Sequence, residues 1–295
     1  MSFYRQLTLL RCRDILYLED FLVQRLVTFT TDFGSGDYYV GAMKGVILSI
    51  NPDARIVDIS NAVQSFDVLD GALTIVQAYS YFPPHTVHVV VVDPGVGTTR
   101  RPLLVDTGKH LFVAPDNGVL SFVYEREEFF TVRHITAEHY FLQPVSQTFQ
   151  GRDIFAAVAG WLSKGVELSK FGDVINDHVR FAAPKPKRIN EKTVKGVVLK
   201  VDKFGNLITN IAPKDLPELF AKDAPEFKIL IGKSEITRMR KAYAQGTPGE
   251  VFGILGSMGY LEIAANRGVA ARMVGAEKGS DVGVVLGETV RAERA

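Results

Sequence analysis

Asp93 and Arg100 stand seven residues apart across a glycine-containing turn, DPGVGTTR. A carboxylate withdrawn from water needs a partner, and an arginine can hold both of its oxygens. The pair can staple a loop or serve a reaction, and the two residues alone leave both readings open. Asp32 directly follows an apolar run and precedes GSG, with Asp37 in the same turn. A carboxylate there can hold the two hydroxyls of a ribose, or it can cap a helix or close an Asx turn. Another strand pattern ends near Asp116, Asn117 and Gly118. In QGRD, from Gln150 to Asp153, the aspartate near a helix start complements the dipole, so Asp153 reads as structural. Asp202, Phe204 and Asn206 lie in VDKFGN between two strand patterns, which reads as a hairpin turn or a binding loop. Ser257 lies in a second such turn, GSMGY, and Asn266 follows it.

Other chemistries lack their residues. No GxSxG elbow and no Gly-Lys-Ser/Thr phosphate loop occurs. His134 and His139 are five apart, not the four of a helical zinc pair, so no metal is expected. Cys12 is the only cysteine, which excludes an intrachain disulfide and any multi-cysteine zinc site.

Elements must position these groups. Residues 26–30, 56–59, 87–92, 103–105 and 111–114 read as strands, and 38–50, 68–79 and 153–163 as helices. The run 87–92 is apolar almost throughout and reads as a central strand buried on both faces. Alternation of strands with helices predicts a mainly parallel α/β sheet for residues 26–181. Residues 182–195 (AAPKPKRINEKTVK) read as a solvated linker. Short strand patterns at 195–201, 207–211, 227–231, 251–255, 260–264 and 282–286 predict a smaller all-β domain, barrel or sandwich, over 196–295. Residues 1–25 read as a helical extension ahead of the first domain; charges interrupt its apolar pattern, so it is not a signal peptide.

Composition bounds the rest. The chain has 295 residues, 46% of them hydrophobic and 23% charged, which is ordinary globular composition. A formal net charge of +1 leaves no electrostatic footprint for nucleic acid or an anionic membrane. No apolar run approaches the ~18–20 residues of a spanning helix. A lone cysteine fits a reducing cytoplasm.

In order, TTDFGSGDYYVGAMKG, VDIS, FDVLDGA, VVDPGVGTTRR, FVAPDNG, TFQGRDIFA, VDKFGNLITNI and GSMGYLEIAAN resemble the S-adenosylmethionine hydroxide adenosyltransferases. These are hydrolase relatives of the fluorinating and chlorinating adenosyl-halide synthases. The resemblance runs from about residue 26 to the end. It implies an α/β domain followed by a β domain, a homotrimer with the ligand between one subunit's first domain and its neighbour's second, and no cofactor. It further implies attack of water on C5′ of S-adenosylmethionine, releasing methionine and adenosine. By motif, Asp32 corresponds to the carboxylate on the ribose hydroxyls, and Asp202 and Ser257 to contacts of the methionine amine, with Asp37 lining that end. Phe204, Asn206 and Asn266 correspond to adenine-side residues, and Phe66 stands where the halogenating relatives carry a tryptophan over the ligand. Asp93 and Arg100 belong to the hydrolases' Asp–Arg–His set.

The chain departs from that pattern at three positions. Gln150 replaces the histidine of the set, and glutamine has no titratable proton near neutrality. If that histidine is the general base, its loss costs roughly 10²–10⁴-fold. If it only orients water, the loss is mild; a non-catalytic binder of adenosine or S-adenosylmethionine is the alternative reading. Met258 stands where the synthases place an arginine for the methionine carboxylate. Gly151 replaces their halide serine, and Asp93 puts a carboxylate where an incoming anion would sit, which favours water as nucleophile.

Overall fold

The computed structural model describes residues 26–287. The expected extension over 1–25, with Cys12, lies outside them. The chain divides into two units between Ala182 and Ala183.

The first unit is built on a seven-stranded mixed sheet in the order β2-β1-β3-β5-β4-β6-β7. Its strands are β1 (Leu26–Thr31), β2 (Arg55–Ser60), β3 (Val87–Val91), β4 (Pro102–Asp106), β5 (Leu111–Pro115), β6 (Thr131–His134) and β7 (Val174–Ile175). Strands β2, β1, β3 and β5 pair in parallel. β4, β6 and β7 add antiparallel pairs at the other edge. β3 is buried along its whole length between β1 and β5, as its uniform apolar run predicts. Val87, Val89 and Val91 join the core beneath helices α1 (Tyr39–Ile50) and α4 (Ala157–Ser163), which contribute Met43, Ile47, Val158 and Leu162. The opposite face receives α2 (Val68–Ala78), whose Gly71 lies so close to the sheet that a Cβ would meet Val92 at 2.9 Å. Helix α3 (Ser121–Arg126) packs beside α2.

The predicted helix over 153–163 begins earlier and differently. Gly151–Ala156 form a π-helical turn, and α4 continues from it.

At the amino end of β3, His88 is buried. Its Nδ1 lies 2.7 Å from Thr28 Oγ1 and its Nε2 lies 3.3 Å from His110 Nδ1. Tyr79 and Phe112 pack against its ring. Burial, with a smaller contribution from His110, pushes the His88 pKa down to about 3.

The second unit is a nine-stranded sheet. Its strands are β8 (Lys187–Asn190), β9 (Thr193–Val201), β10 (Leu207–Thr209), β11 (Phe227–Ile231), β12 (Ser234–Ile236), β13 (Met239–Arg240), β14 (Val251–Leu255), β15 (Leu261–Ala265) and β16 (Asp281–Leu286). The order is β12-β11-β16-β9-β10-β15-β14-β13, with β8 also paired to β9. One side packs the aliphatic core of Val194, Leu207, Ile229, Leu261, Ile263 and Val282. A short helix, α5 (Ala270–Val274), follows β15. The expected linker 182–195 is corrected here: it contains β8 and the start of β9. All four residues of β8 are exposed, so the strand has no apolar face to announce it in sequence.

Candidate active site

The register of the parallel strands brings the chemistry together. Thr31 of β1 pairs with Val91 of β3, so Asp32 and Asp93 emerge side by side at the carboxyl edge of the sheet. Open α/β sheets present ligand sites at that edge.

Arg100 folds back across the turn onto Asp93. Its Nε donates to Asp93 Oδ1 at 3.0 Å, and its Nη2 donates to Asp93 Oδ2. Both side chains are buried. The turn between them needs glycine at position 97: φ is +78°, and a Cβ would meet the Gln147 carbonyl oxygen at 2.4 Å. Arg100 Nη2 also donates to Gln150 Oε1 at 2.5 Å, and the guanidinium lies 5.2 Å from the centre of the Phe155 ring. A guanidinium only donates, so the carbonyl oxygen of Gln150 must be the group that faces it. What Gln150 retains is its amide N–H₂, a pair of donors.

Asp93, Gln150 and Gly151 line a cavity of about 130 Å³ with Phe33, Tyr39 and Phe149. A Cβ on Gly151 would come within 3.3 Å of Phe33 and 3.4 Å of the Met43 sulfur. A serine there would crowd both.

Asp32 is tied to Phe66. The backbone N–H of Phe66 donates to Asp32 Oδ2 at 2.8 Å. Phe66 has φ +65°, unusual for a residue other than glycine, and its side chain is 74% exposed. The carboxylate therefore anchors a strained turn just ahead of α2 and leaves Oδ1 for a further donor. Burial raises the Asp32 pKa above the ordinary carboxylate value; the Phe66 N–H opposes that shift, and Asp93 adds to it. Asp37 is exposed in the turn after β1 and lies outside the lining of the cavity. Asp116 is held by Arg101, whose Nε and Nη2 both donate to Oδ2, and Asn117 Nδ2 donates to the Val92 carbonyl at 2.8 Å. These two fasten the loop after β5. Asp153 accepts from Arg152 and from the Ser146 N–H, in keeping with a structural role.

In the second unit, the VDKFGN segment joins β9 to β10 as expected. Asp202 Oδ1 accepts from the N–H groups of Phe204 (2.9 Å) and Asn206 (2.8 Å), and Oδ2 accepts from Asn206 Nδ2 at 2.9 Å. Asp202, Phe204, Asn206, Ser257, Met258 and Asn266 all line one groove of about 800 Å³. Phe204 projects into it, 74% exposed. Ser257 is carried by the turn between β14 and β15, where the Gly256 N–H donates to the Tyr260 carbonyl. Asn266 Nδ2 donates to the Gly246 carbonyl at 2.7 Å, which fixes its orientation.

Four further polar residues of this groove were not anticipated: Lys200, Tyr243, Glu262 and Arg267. Glu262 is buried in β15, and Tyr243 Oη donates to its Oε2 at 3.0 Å. Burial raises the Glu262 pKa, Tyr243 opposes that, and Asp202 adds to it. The available signal was a single carboxylate inside LEIAA, a strand whose five residues are all buried. Among the described residues no group of three or more His, Cys, Asp or Glu side chains could hold a metal ion, and no helix is long and apolar enough to cross a membrane.

Comparison with known proteins gives a consistent result. Residues 27–172 match the N-terminal domain of SAM hydroxide adenosyltransferases, and residues 196–283 match the C-terminal domain. An (R)-S-adenosyl-L-methionine hydrolase of Methanocaldococcus jannaschii is 37% identical over 203 residues, covering 66% of this chain and 70% of that protein. The hydrolase of the same name from Salinispora tropica is 34% identical over 265 residues, covering 88% and 98%. A crystal structure of an uncharacterized conserved protein from Thermotoga maritima superposes with a TM-score of 0.81 at 37% identity, over 88% of this chain and 99% of that one. With both domain models matched in order along most of its length, the chain belongs to the SAM hydroxide adenosyltransferase family.

Proposed function

We propose that this protein hydrolyses S-adenosylmethionine to adenosine and L-methionine, without a cofactor. The observation that carries the reading is the buried Asp93–Arg100–Gln150 set beside Asp32 at one sheet edge. The oxygen of water attacks C5′, the C5′–S bond breaks with its electrons going to sulfur, and one proton is released. A sulfonium is already a good leaving group, so the protein's task is to position the reactants and accept that proton.

Each residue has a proposed part. Asp32 grips the ribose hydroxyls. Gln150 donates an amide hydrogen to a lone pair of the attacking water, because Arg100 occupies its oxygen. Asp93 accepts a hydrogen of that water, and Arg100 holds the carboxylate in line. Asp202 and Ser257 take the methionine amine, with Asp37 lining that end. Phe204, Asn206 and Asn266 serve the adenine, and Phe66 covers the ligand. Asp93 also disfavours an incoming halide, since like charges repel strongly where water is scarce. We propose further that the protein is a homotrimer with its sites at subunit interfaces. The lone cysteine is in keeping with the cytoplasm as its compartment.

The test is direct. Protein mixed with S-adenosylmethionine should yield adenosine and methionine in equal amounts, and added chloride should yield no 5′-chloro-5′-deoxyadenosine. Binding of S-adenosylmethionine without release of adenosine would instead establish a binding protein disabled at Gln150.

A further inference from the structure

We propose that Asn117 is a positioning residue for the hydrolysis: its side-chain amide holds the peptide bond that carries Asp93 into the site. The inference rests on the hydrolase reading above, since it needs Asp93 to act on the attacking water.

The need for such a residue arises from the local sequence. Strands β3 and β5 pair in parallel from Val87 with Leu111 to Val89 with Val113. Over the next turn, residues 115–117 offer β3 no backbone donor. Pro115 has no N–H, the Asp116 N–H donates to the Arg101 carbonyl, and the Asn117 N–H donates to the Pro115 carbonyl. Val92 is fully buried just past the end of β3, and a carbonyl withdrawn from water needs a partner. Asn117 supplies it from its side chain, Nδ2 donating to the Val92 oxygen at 2.8 Å. The other end of the same amide is fixed as well, because Oδ1 accepts from the Val119 N–H at 3.1 Å. Helix α2 lies over both valines: a Cβ on Gly71 would come within 2.9 Å of Val92 and 3.1 Å of Val119.

The consequence falls on Asp93. The Val92 carbonyl and the Asp93 nitrogen share one rigid plane, so holding the first orients the second. The Val96 N–H donates to the Asp93 carbonyl at 3.2 Å and holds the other end of the residue, while Arg100 holds its carboxylate. Asn117 is outside the lining of the cavity, so it acts through Asp93. A reacting group displaced by about 1 Å can lose ~10²-fold in rate, which makes the orientation of this peptide matter to turnover.

The experiment uses Asn117→Asp in the full chain. This variant keeps shape and the acceptor for the Val119 N–H, and at neutral pH it removes only the donor to Val92. The kcat for adenosine formation should fall at least ~10-fold, with KM and the adenosine dissociation constant within about twofold, because Asp32 on β1 is untouched. A protonated carboxyl regains a donor, so the ratio of variant to wild-type kcat should climb as the pH is lowered toward the ordinary carboxylate pKa of ~3.9. Asn117→Ala, which leaves the carbonyl unpaired without adding charge, should show the same split between kcat and KM; it carries the test if the aspartate variant does not fold. An equal loss in kcat and in adenosine affinity would make Asn117 a merely structural residue of the loop. A lower kcat that acid does not recover would assign the effect to something other than this hydrogen bond and overturn the proposal. Wild-type protein that fails to hydrolyse S-adenosylmethionine would sink the hydrolase reading, and this assignment with it. Active wild type with an equally active variant would sink this assignment alone.

Discussion

Asp93 and Glu262 are both carboxylates withdrawn from water, yet their surroundings are opposite. Asp93 has a guanidinium on both oxygens. Glu262 has a phenol on one oxygen and a second carboxylate nearby. The Asp93–Arg100 pair is balanced in charge before anything binds, which suits a neutral water as the guest. The second carboxylate has no guanidinium on it but shares its groove with two cationic side chains, Lys200 and Arg267.

The comparison can be broken at its strongest point. Arg100→Met should leave Asp93 buried and unpaired, at a cost of about 3–5 kcal/mol in urea unfolding. Tyr243→Phe removes only a hydrogen bond and should cost about 1 kcal/mol. Similar losses in the two variants would mean that Asp93 is not held mainly by its ion pair.

Asp32 gives the next largest effect. Asp32→Ala should weaken adenosine binding by about 3–6 kcal/mol, as two charge-assisted hydrogen bonds vanish. Asp32→Asn keeps an acceptor for the Phe66 N–H and should be intermediate in affinity. It should also be at least as stable as the wild type near neutrality, because the burial that raises this pKa opposes the charged form in the fold. Calorimetry showing unchanged adenosine affinity in Asp32→Ala would remove Asp32 from the ribose.

Gln150→His sharpens the account of the first site. Imidazole, with an ordinary pKa of ~6.5, can accept a proton where an amide cannot. Adenosine formation should rise at least ~10-fold, and the pH–rate profile should gain a rising limb. Superposable profiles would leave Asp93 as the acceptor in both forms, and Asp93→Asn should then abolish turnover in the glutamine form.

The smallest effect belongs to a third buried titratable group, His88, which is accommodated by staying neutral. Its pKa in the fold, about 3, lies below the ordinary 6.5. The stability it contributes is fully present above pH 6.5 and is lost as the pH falls toward about 3. Urea midpoints should decline across that window with a slope of at most ~1.4 kcal/mol per pH unit for this group. His88→Phe should flatten the decline, and an unchanged slope would place the acid sensitivity elsewhere.

The sequence made the first sheet legible because burial leaves an apolar signature. The run at β3 has no polar partner stripe, and its neighbours alternate with helices at regular spacing. Asp93 and Arg100 were legible as a pair because a short turn leaves them within reach. Three things were not. The direction of the Gln150 amide depends on Arg100, which lies fifty residues away in sequence. The π-helical start at Gly151, which lies close to Phe33 and Met43, leaves no mark in the local spacing. The burial of Glu262 depends on neighbours such as Tyr243, which are distant in sequence.

Strand β8 has a consequence for how the molecule behaves in a crowded solution. It pairs with β9 and with no other strand among the described residues, so one of its edges is left with unpaired backbone donors and acceptors. Such an edge is a template for another chain's strand. Lys187 and Arg188 place positive charge along it, and two approaching copies would bring those charges together. The basic character that made this stretch resemble a linker is therefore its protection against aggregation. Threonine at both positions should leave the folded core untouched and lower the concentration at which the protein precipitates.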